Sequence, residues 1–444
     1  MATALDADVL RLFQRLLSAE FITEALRQAE VRENNRVYTS AVVMWLMVWQ
    51  RLQSQGTLET AVLELLRNLP ASFWSEPCKR LTEAAEDGGV GLSSHTGAYN
   101  QARQGLSEPV VEKCCDHVFA QLMAVEEKRR PAFFLDGTTI RMPHTRALVK
   151  AYPPTRNQHG VSHWPIMRML VAHDLYTGLA MRPVWGPVNG NGSVSEQGLL
   201  ESALGRLPEP SVLCGDANFG VFSVAYAAAQ HHHPVVLRLT EVRARRLAAG
   251  EWRDGVDRPV AWKPSREDRS SHPELPAEAC VEGRLIIRQV QPSNGEEAFL
   301  LALFTTLPDL PEDLVDLYGH RWNIEVDLRT LKSQLRLDQL SSVTPQMIAK
   351  EINLAILSYN LVRSVMYLTA RKSGLEPRAF SFTKVRNVLQ AFLPLIAAAD
   401  ERQRRRLTKT MLDCLARTRL YRRRRPSVPR AVWPRPKSYP AQHK

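Results

Sequence analysis

The segment between Pro131 and Thr240 constrains the fold most, because short apolar runs alternate there with turn-like and helical stretches. Apolar runs bounded by turn residues predict strands, and apolar residues three and four apart predict helices. The predicted order is three strands, a helix, a strand, a second helix and a fifth strand. We expect strands at residues 132–142, 165–175, 178–186, 211–216 and 234–240, and helices at 195–207 and 219–230. Such an order predicts an α/β domain.

The order of these elements matches the ribonuclease H-like core, a mixed sheet with helices on its faces. Residues 241–296 differ in composition, because they are polar and rich in Arg, Glu and Pro. They contain one clear strand at 285–291 and predict a β-rich insertion. An apolar strand at 298–306 resumes the core, and Pro311 then begins a long helix.

Helical patterns dominate both ends of the chain. Apolar residues recur at helical spacing in three stretches before residue 128. We therefore expect a helical N-terminal domain, a core in two segments, the insertion, and a basic helical C-terminal region. Their boundaries are residues 1–128, residues 129–240 with 297–372, residues 241–296, and residues 373–444.

Positive charge is concentrated at the C-terminus. Residues 401–444 hold 15 Lys and Arg against 2 Asp and Glu, a net charge of +13, whereas the whole chain carries +12. Such a segment neutralises phosphates in complexes with nucleic acids. A solvated tail that improves solubility is the alternative. The densest basic run is Arg422, Arg423, Arg424 and Arg425.

Three carboxylates occupy positions that an ordinary folded domain does not require. Asp136 lies inside the first apolar strand, where an unpaired carboxylate is costly. Asp216 directly follows the fourth strand, and Glu325 is the single carboxylate on one face of the long helix. The other residues of that face are Tyr318, Arg321, Arg329, Lys332 and Arg336.

These carboxylates predict a metal site. In a ribonuclease H-like sheet the strands of Asp136 and Asp216 are neighbours, and the helix of Glu325 covers their ends, so we expect the three to converge. Carboxylate oxygens suit Mg2+ or Mn2+. Two such ions about 4 Å apart activate water and stabilise the leaving oxygen in phosphodiester cleavage. For Glu325 alone, salt-bridge support of a surface helix is the simpler explanation, and the two aspartates are what favour a metal site.

The spacing Tyr318-x2-Arg321-x3-Glu325-x6-Lys332 is similar to the signature of the insertion-sequence-four family of transposases, which includes the Tn-five and Tn-ten type enzymes. FFLDGTT around Asp136 resembles the first-aspartate region of that family, and LCGDANFG around Asp216 resembles its second. The N-terminal helical segment also resembles that of the family, so the likeness covers roughly residues 18–370.

The resemblance implies a DDE transposase, which cuts the terminal inverted repeats of a mobile element and joins them to target DNA. It implies two Mg2+ or Mn2+ ions on the three carboxylates, a DNA-binding N-terminal domain and a homodimer in the synaptic complex with double-stranded DNA. Tyr318, Arg321 and Lys332 would hold phosphates beside the scissile bond. We extend the expectation of DNA binding to Arg329, Arg336 and the basic run that begins at Arg422.

Two other functions fit the same residues. The first is a structure-selective nuclease on the same core, which would cleave DNA without joining it. The second is a non-catalytic DNA-binding relative of a transposase. All three carboxylates being present argues against the second function.

The remaining features predict a cytoplasmic, nucleoid-associated protein without a membrane partner. None of the six cysteines forms a C-x-x-C pair, so neither a zinc ribbon nor a disulfide framework is indicated. The longest apolar run, Ala41–Trp49, is shorter than the roughly 20 residues that span a bilayer. The N-terminus lacks the basic and apolar regions of a signal peptide.

Overall fold

A computed structural model describes residues 9–33, 36–53, 56–66, 78–86, 91–126, 129–157, 160–292 and 297–420. The predicted basic run from Arg422 to Arg425 lies outside the described residues. Within them, no helix combines the length and the apolar character needed to span a bilayer.

An eight-stranded mixed sheet forms the centre of the molecule. The strands of the chain are β1 (Ala132–Arg141), β2 (Arg156–Asn157), β3 (Gly160–Val161), β4 (Ile166–Asp174), β5 (Val184–Pro187), β6 (Val212–Gly215), β7 (Val235–Arg238), β8 (Val256–Trp262), β9 (Val281–Val290) and β10 (Phe299–Thr305). The sheet order is β5-β4-β1-β6-β7-β10-β9-β8, and β2 and β3 form a separate ribbon. β4 is antiparallel to β1 and β5, whereas β6 is parallel to both β1 and β7.

The segment predicted as an insertion extends this sheet. β10 pairs antiparallel with β7, β9 with β10, and β8 with β9, so two strands from residues 241–296 continue the core sheet at its edge. The same segment contains the short helices α11 (Glu241–Leu247) and α12 (Arg266–Ser271). Sequence alone did not indicate this pairing, because β-strand partners are set by long-range packing.

Helices from both ends of the chain pack into one body. The N-terminal helices are α1 (Val9–Leu16), α2 (Ala19–Gln28), α3 (Ser40–Leu52), α4 (Leu58–Leu66), α5 (Lys79–Glu86), α6 (Gly97–Gly105) and α7 (Glu108–Met123). The C-terminal helices are α15 (Pro345–Ser373), α16 (Phe382–Ala398) and α17 (Glu401–Ala416). α15 lies at the centre, in contact with α3, α7, α16 and α17. The core-facing helices α8 (Arg146–Ala151), α9 (Leu200–Leu204) and α10 (Phe222–Gln230) complete this part of the fold.

A buried ion-pair cluster joins these helices. Glu351 of α15, only 2% exposed, pairs with Arg51 of α3 and with Arg103 of α6, each at 3.0 Å. Removing one partner of such a cluster leaves an uncompensated buried charge. The N-terminal and C-terminal helices therefore depend on each other for stability.

The long helix predicted from Pro311 is interrupted, which corrects the single-helix prediction. α13 (Pro311–Gly319) and α14 (Trp322–Gln334) are joined by a tight turn, where the Arg321 amide donates to the Tyr318 carbonyl at 2.9 Å. Gly319 favours the break, because glycine loses the most backbone entropy in a helix. Tyr318 consequently packs inward, with its ring centroid 5.9 Å from that of Phe134.

Candidate active site

Asp136 and Asp216 lie at the same level on two adjacent parallel strands. The last pair between β1 and β6 is Phe134 with Cys214, and each aspartate follows its strand's paired residue by two positions. Side chains two positions apart share a face of a sheet, and neighbouring strands are about 4.8 Å apart. The register therefore brings the two carboxylates side by side on one face.

The charge on Asp136 is poorly compensated. Burial and the like charge of Asp216 raise the pKa of Asp136 to about 6. The hydrogen bond that its Oδ1 accepts from the Gly137 amide, at 2.8 Å, opposes this shift. Asp216 caps its own turn, since its Oδ1 accepts from the Asn218 amide at 2.9 Å. Burial and the neighbouring Asp216 carboxylate therefore both disfavour the ionised form of Asp136.

α14 packs against β1 and presents a charged face to Asp136. The positive charge of Arg321 partly opposes the rise in the pKa of Asp136. Burial lowers the pKa of Lys332, and the negative charge of Asp136 opposes that shift. Glu325 lies between these two cations along the helix, and its Oε1 pairs with Arg321 Nη1 at 3.0 Å.

The three carboxylates do not form a ready-made metal site. Across the part of the chain that the structure describes, no three His, Cys, Asp or Glu side chains are grouped closely enough to hold a metal ion. Asp136 and Asp216 are close enough to interact. Glu325 is instead paired with Arg321 at the start of α14. Convergence of all three therefore stays a prediction.

Tyr318 lies beneath the site and contributes to the core. Burial raises the pKa of Tyr318 to about 12, and the positive charges of Arg238 and Arg321 oppose the shift. Its hydroxyl makes no hydrogen bond of normal geometry with any described residue, although Arg238 is nearby. The other expected DNA-binding positions diverge. Arg329 is exposed on α14, whereas Arg336 is half-buried.

The contacts of Arg336 are with the N-terminal helices. Its Nη2 donates to the Gln50 carbonyl of α3 at 2.9 Å, and its backbone adopts a left-handed φ of 56°. Burial also lowers the pKa of the Arg336 guanidinium. These observations indicate a structural contact, and DNA binding by Arg336 stays a prediction.

Sequence reasoning missed two cations beside the Asp216 turn. Arg238 ends β7 and lies near Tyr318, and Arg243 of α11 donates to the Ala217 carbonyl at 2.9 Å. Arg238 is the last residue of an apolar strand and Arg243 follows that strand, but nothing in this pattern indicates which face they occupy. A cleft of about 440 Å³ adjoins Arg243. Its lining includes Gln197, Phe222, Arg243, Arg246, Trp262 and Lys263.

A fourth carboxylate, Glu196, was also missed. Its Oε2 accepts from Asn218 Nδ2 at 2.7 Å, and its negative charge raises the pKa of Asp136. Glu196 lies between β5 and α9, where a helix from residue 195 was predicted, but a tight turn precedes the shorter α9. No motif marks Glu196, because its position depends on how this connection folds over β1.

Two further acidic residues have structural roles. Asp174 accepts from the Thr177 amide at 2.7 Å and so closes a turn after β4. Asp327 of α14 faces away from the site and pairs with Arg363 and Arg378. Neither residue competes for the role predicted for Glu325.

Comparison with known proteins bears on the whole of this region. A family model described as "Transposase DDE domain" matches residues 127–361, which include β1, the Asp216 turn, the insertion and α14. The chain is also similar to the transposase InsG for insertion sequence element IS4 of Escherichia coli strain K12. The two are 25% identical over 362 residues, covering 78% of each chain. More than half of the sequence thus matches one family model, and the chain belongs to the family of transposases with a DDE domain.

Proposed function

We propose that this transposase cuts DNA at the ends of a mobile element and joins those ends to a target, using Asp136, Asp216 and Glu325. The observation that carries the proposal is the register of β1 and β6, which aligns two carboxylates on one face of the sheet. The order β5-β4-β1-β6-β7 supports a ribonuclease H-like core, because it is the strand order expected of that fold.

The donor set fits a hard divalent cation. Asp136 and Asp216 offer only oxygen ligands, and a bound cation would offset the burial and the like charge of Asp216 that together raise the pKa of Asp136. When bound, Mg2+ or Mn2+ would polarise the scissile phosphodiester and offset charge on the leaving oxygen. We infer two ions, held by Asp136, Asp216 and Glu325.

Glu325 Oε1 is paired with Arg321 at 3.0 Å, so a metal ion would compete with the guanidinium for this carboxylate. A phosphate of the bound strand would compete for the guanidinium, since arginine binds phosphate through charge-assisted hydrogen bonds. DNA binding would then release Glu325 towards Asp136. The Arg321–Glu325 pair thus couples substrate binding to assembly of the site.

The neighbouring residues would orient the substrate. Lys332 lies near Asp136 and would neutralise a phosphate beside the cut. Tyr318, with its buried hydroxyl, would support the turn that precedes α14 and could donate to a phosphate. Arg329 would contact DNA from the exposed face of the same helix.

The rest of the chain would hold the DNA. We propose that residues 1–128 form a DNA-binding domain and that residues 373–444, with the run from Arg422 to Arg425, add sequence-independent affinity for double-stranded DNA. Terminal inverted repeats and target DNA would be the substrates, and a homodimer would bring two ends together. We propose that the protein acts on the bacterial chromosome in the cytoplasm.

A strand-transfer assay with pre-cleaved transposon ends and Mg2+ tests this function. Joined product from the natural chain, lost in Asp136→Asn, supports the proposal. Asp313→Asn, an exposed aspartate in the first turn of α13, is the matched control and should join ends normally. In a parallel reaction with uncut ends, cleavage without joining would indicate a structure-selective nuclease instead. Binding with neither reaction would indicate a non-catalytic relative.

A further inference from the structure

The connection between β5 and α9 contacts the Asp216 turn at two points. Glu196 Oε2 accepts from Asn218 Nδ2 at 2.7 Å, and Gln197 Nε2 donates to the Asn218 carbonyl at 2.5 Å. Asn218 in turn donates its amide to Asp216 at 2.9 Å. The connection between β5 and α9 therefore holds both the side chain and the backbone of Asn218. Asn218 is itself linked to the Asp216 carboxylate by one hydrogen bond.

Glu196 also lies over β1 at Gly137, the residue that follows Asp136. A methyl group added at Gly137 would lie under 3.0 Å from both Cδ and Cγ of Glu196, far inside van der Waals contact. The missing side chain at residue 137 therefore makes room for Glu196. The Gly137 amide itself donates to Asp136 Oδ1 at 2.8 Å. Glu196 therefore contacts one neighbour of each aspartate: Asn218, which is bonded to Asp216, and Gly137, which is bonded to Asp136.

We propose that Glu196, assisted by Gln197, is a positioning residue that sets the separation of the Asp136 and Asp216 carboxylates. This inference rests on the proposed function, since it assigns Glu196 a part in the same site. Glu196 acts through Asn218 on one side and through contact with Gly137 on the other. Its carboxylate is already engaged by Asn218, which distinguishes it from a residue that only adds charge.

The role predicts separate effects of shape and charge. Glu196→Ala removes the contact and should lower kcat for end cleavage about tenfold, because small displacements of reacting groups are costly. The DNA Kd should not change. Glu196→Gln keeps an oxygen that accepts from Asn218 and should retain at least about a third of the natural kcat. Glu201→Ala, an exposed position on α9, is the matched control with normal kcat.

A double-variant cycle tests the contact with Gly137. Gly137→Ala should displace Glu196 and lower kcat about as much as Glu196→Ala. The double variant should be no worse than either single variant, because one contact is lost in all three. Additive losses would overturn the inference, since the methyl group added at residue 137 would then act independently of Glu196. Glu196→Gln as inactive as Glu196→Ala would also overturn it, because the charge rather than the geometry would matter.

Thermal unfolding of the DNA-free protein tests the contact without any reaction. Gly137→Ala should lower the apparent Tm in the natural chain and leave it unchanged or higher in the Glu196→Ala background. An equal decrease in both backgrounds would contradict the inference. If the natural chain neither cleaves nor joins ends, the proposed function fails, and this unfolding cycle still decides whether Glu196 is held against Gly137.

Discussion

The two faces of α14 use carboxylates in opposite ways, although Glu325 and Asp327 are only two residues apart. The side chain of Glu325 is 34% exposed, and its one ion-pair partner among the described residues is Arg321, which directly precedes α14. The side chain of Asp327 is fully buried and pairs with Arg378 at 2.8 Å and with Arg363 of α15. Positions two apart on a helix lie about 200° apart around its axis, so one helix can serve both environments.

The difference shows how one carboxylate can anchor a helix while a second carboxylate on the opposite face keeps a partly exposed partner. Burial alone would raise the pKa of Asp327, but the charges of Arg363 and Arg378 more than offset it and hold that pKa below its ordinary value. Asp327 therefore remains ionised and anchors α14 to α15. Glu325 lies on the opposite face, where its pair with the partly exposed Arg321 can be exchanged.

The largest effect should follow from Glu325→Gln. The change keeps the shape of the side chain but removes its charge, so end cleavage should fall by at least about 10³-fold, equivalent to about 4 kcal/mol. The Tm should change little, because exposed ion pairs contribute only about 0–1 kcal/mol. Cleavage kinetics and calorimetry on the same preparation test this. Near-normal cleavage would contradict the difference between the faces.

Asp327→Asn should show the reverse pattern. Loss of its charge leaves the buried Arg363 and the partly buried Arg378 without this counter-charge, so we expect a loss of about 3–5 kcal/mol in the free energy of unfolding. Cleavage per folded molecule should be nearly normal. Urea unfolding measures the first quantity, and an active-fraction assay at low temperature measures the second. An unchanged unfolding free energy would show that the buried pairs do not anchor α14.

Asp136 should give a pH dependence of the opposite sign to that of Asp327. Its folded pKa of about 6 exceeds the ordinary value of 3.8, so its favourable contribution to stability is present at low pH and lost as pH rises to about 6. Asp136→Asn should therefore stabilise the metal-free protein above pH 6, by at most about 3 kcal/mol. Unfolding in EDTA at pH 5 and pH 8 tests this. An equal effect at both pH values would contradict the assignment.

The smallest effects should follow from the cations of the exposed face. Lys332→Ala and Arg321→Ala should each weaken binding of transposon-end DNA by about 1–3 kcal/mol, while some cleavage remains at saturating DNA. Arg371→Ala, at the exposed end of α15, is the control. Gel-shift and cleavage assays on one end fragment separate the two quantities. Normal binding by Lys332→Ala with cleavage as low as that of Glu325→Gln would place the lysine in the chemical step.

Local pattern predicted the strands of Asp136 and Asp216 and the helical conformation around Glu325, because both depend on residues near in sequence. It failed at Gly319, where the periodicity continues although the helix breaks, and so it misplaced Tyr318 on the charged face. Glu196 and Arg243 were missed for another reason. Glu196 lies in a connection and Arg243 on α11, and the position of each depends on packing against distant strands, which no local pattern reports.

The most direct test of the central claim is cleavage of a duplex carrying the terminal repeat by Asp216→Asn in Mg2+. The substitution keeps the size of the side chain and the acceptor oxygen for the Asn218 amide, so the fold and DNA binding should be unchanged. The account predicts that cleavage and joining fall to background while the gel-shift affinity stays normal. Substantial Mg2+-dependent cleavage by this variant would contradict the assignment of Asp136, Asp216 and Glu325 as the catalytic carboxylates.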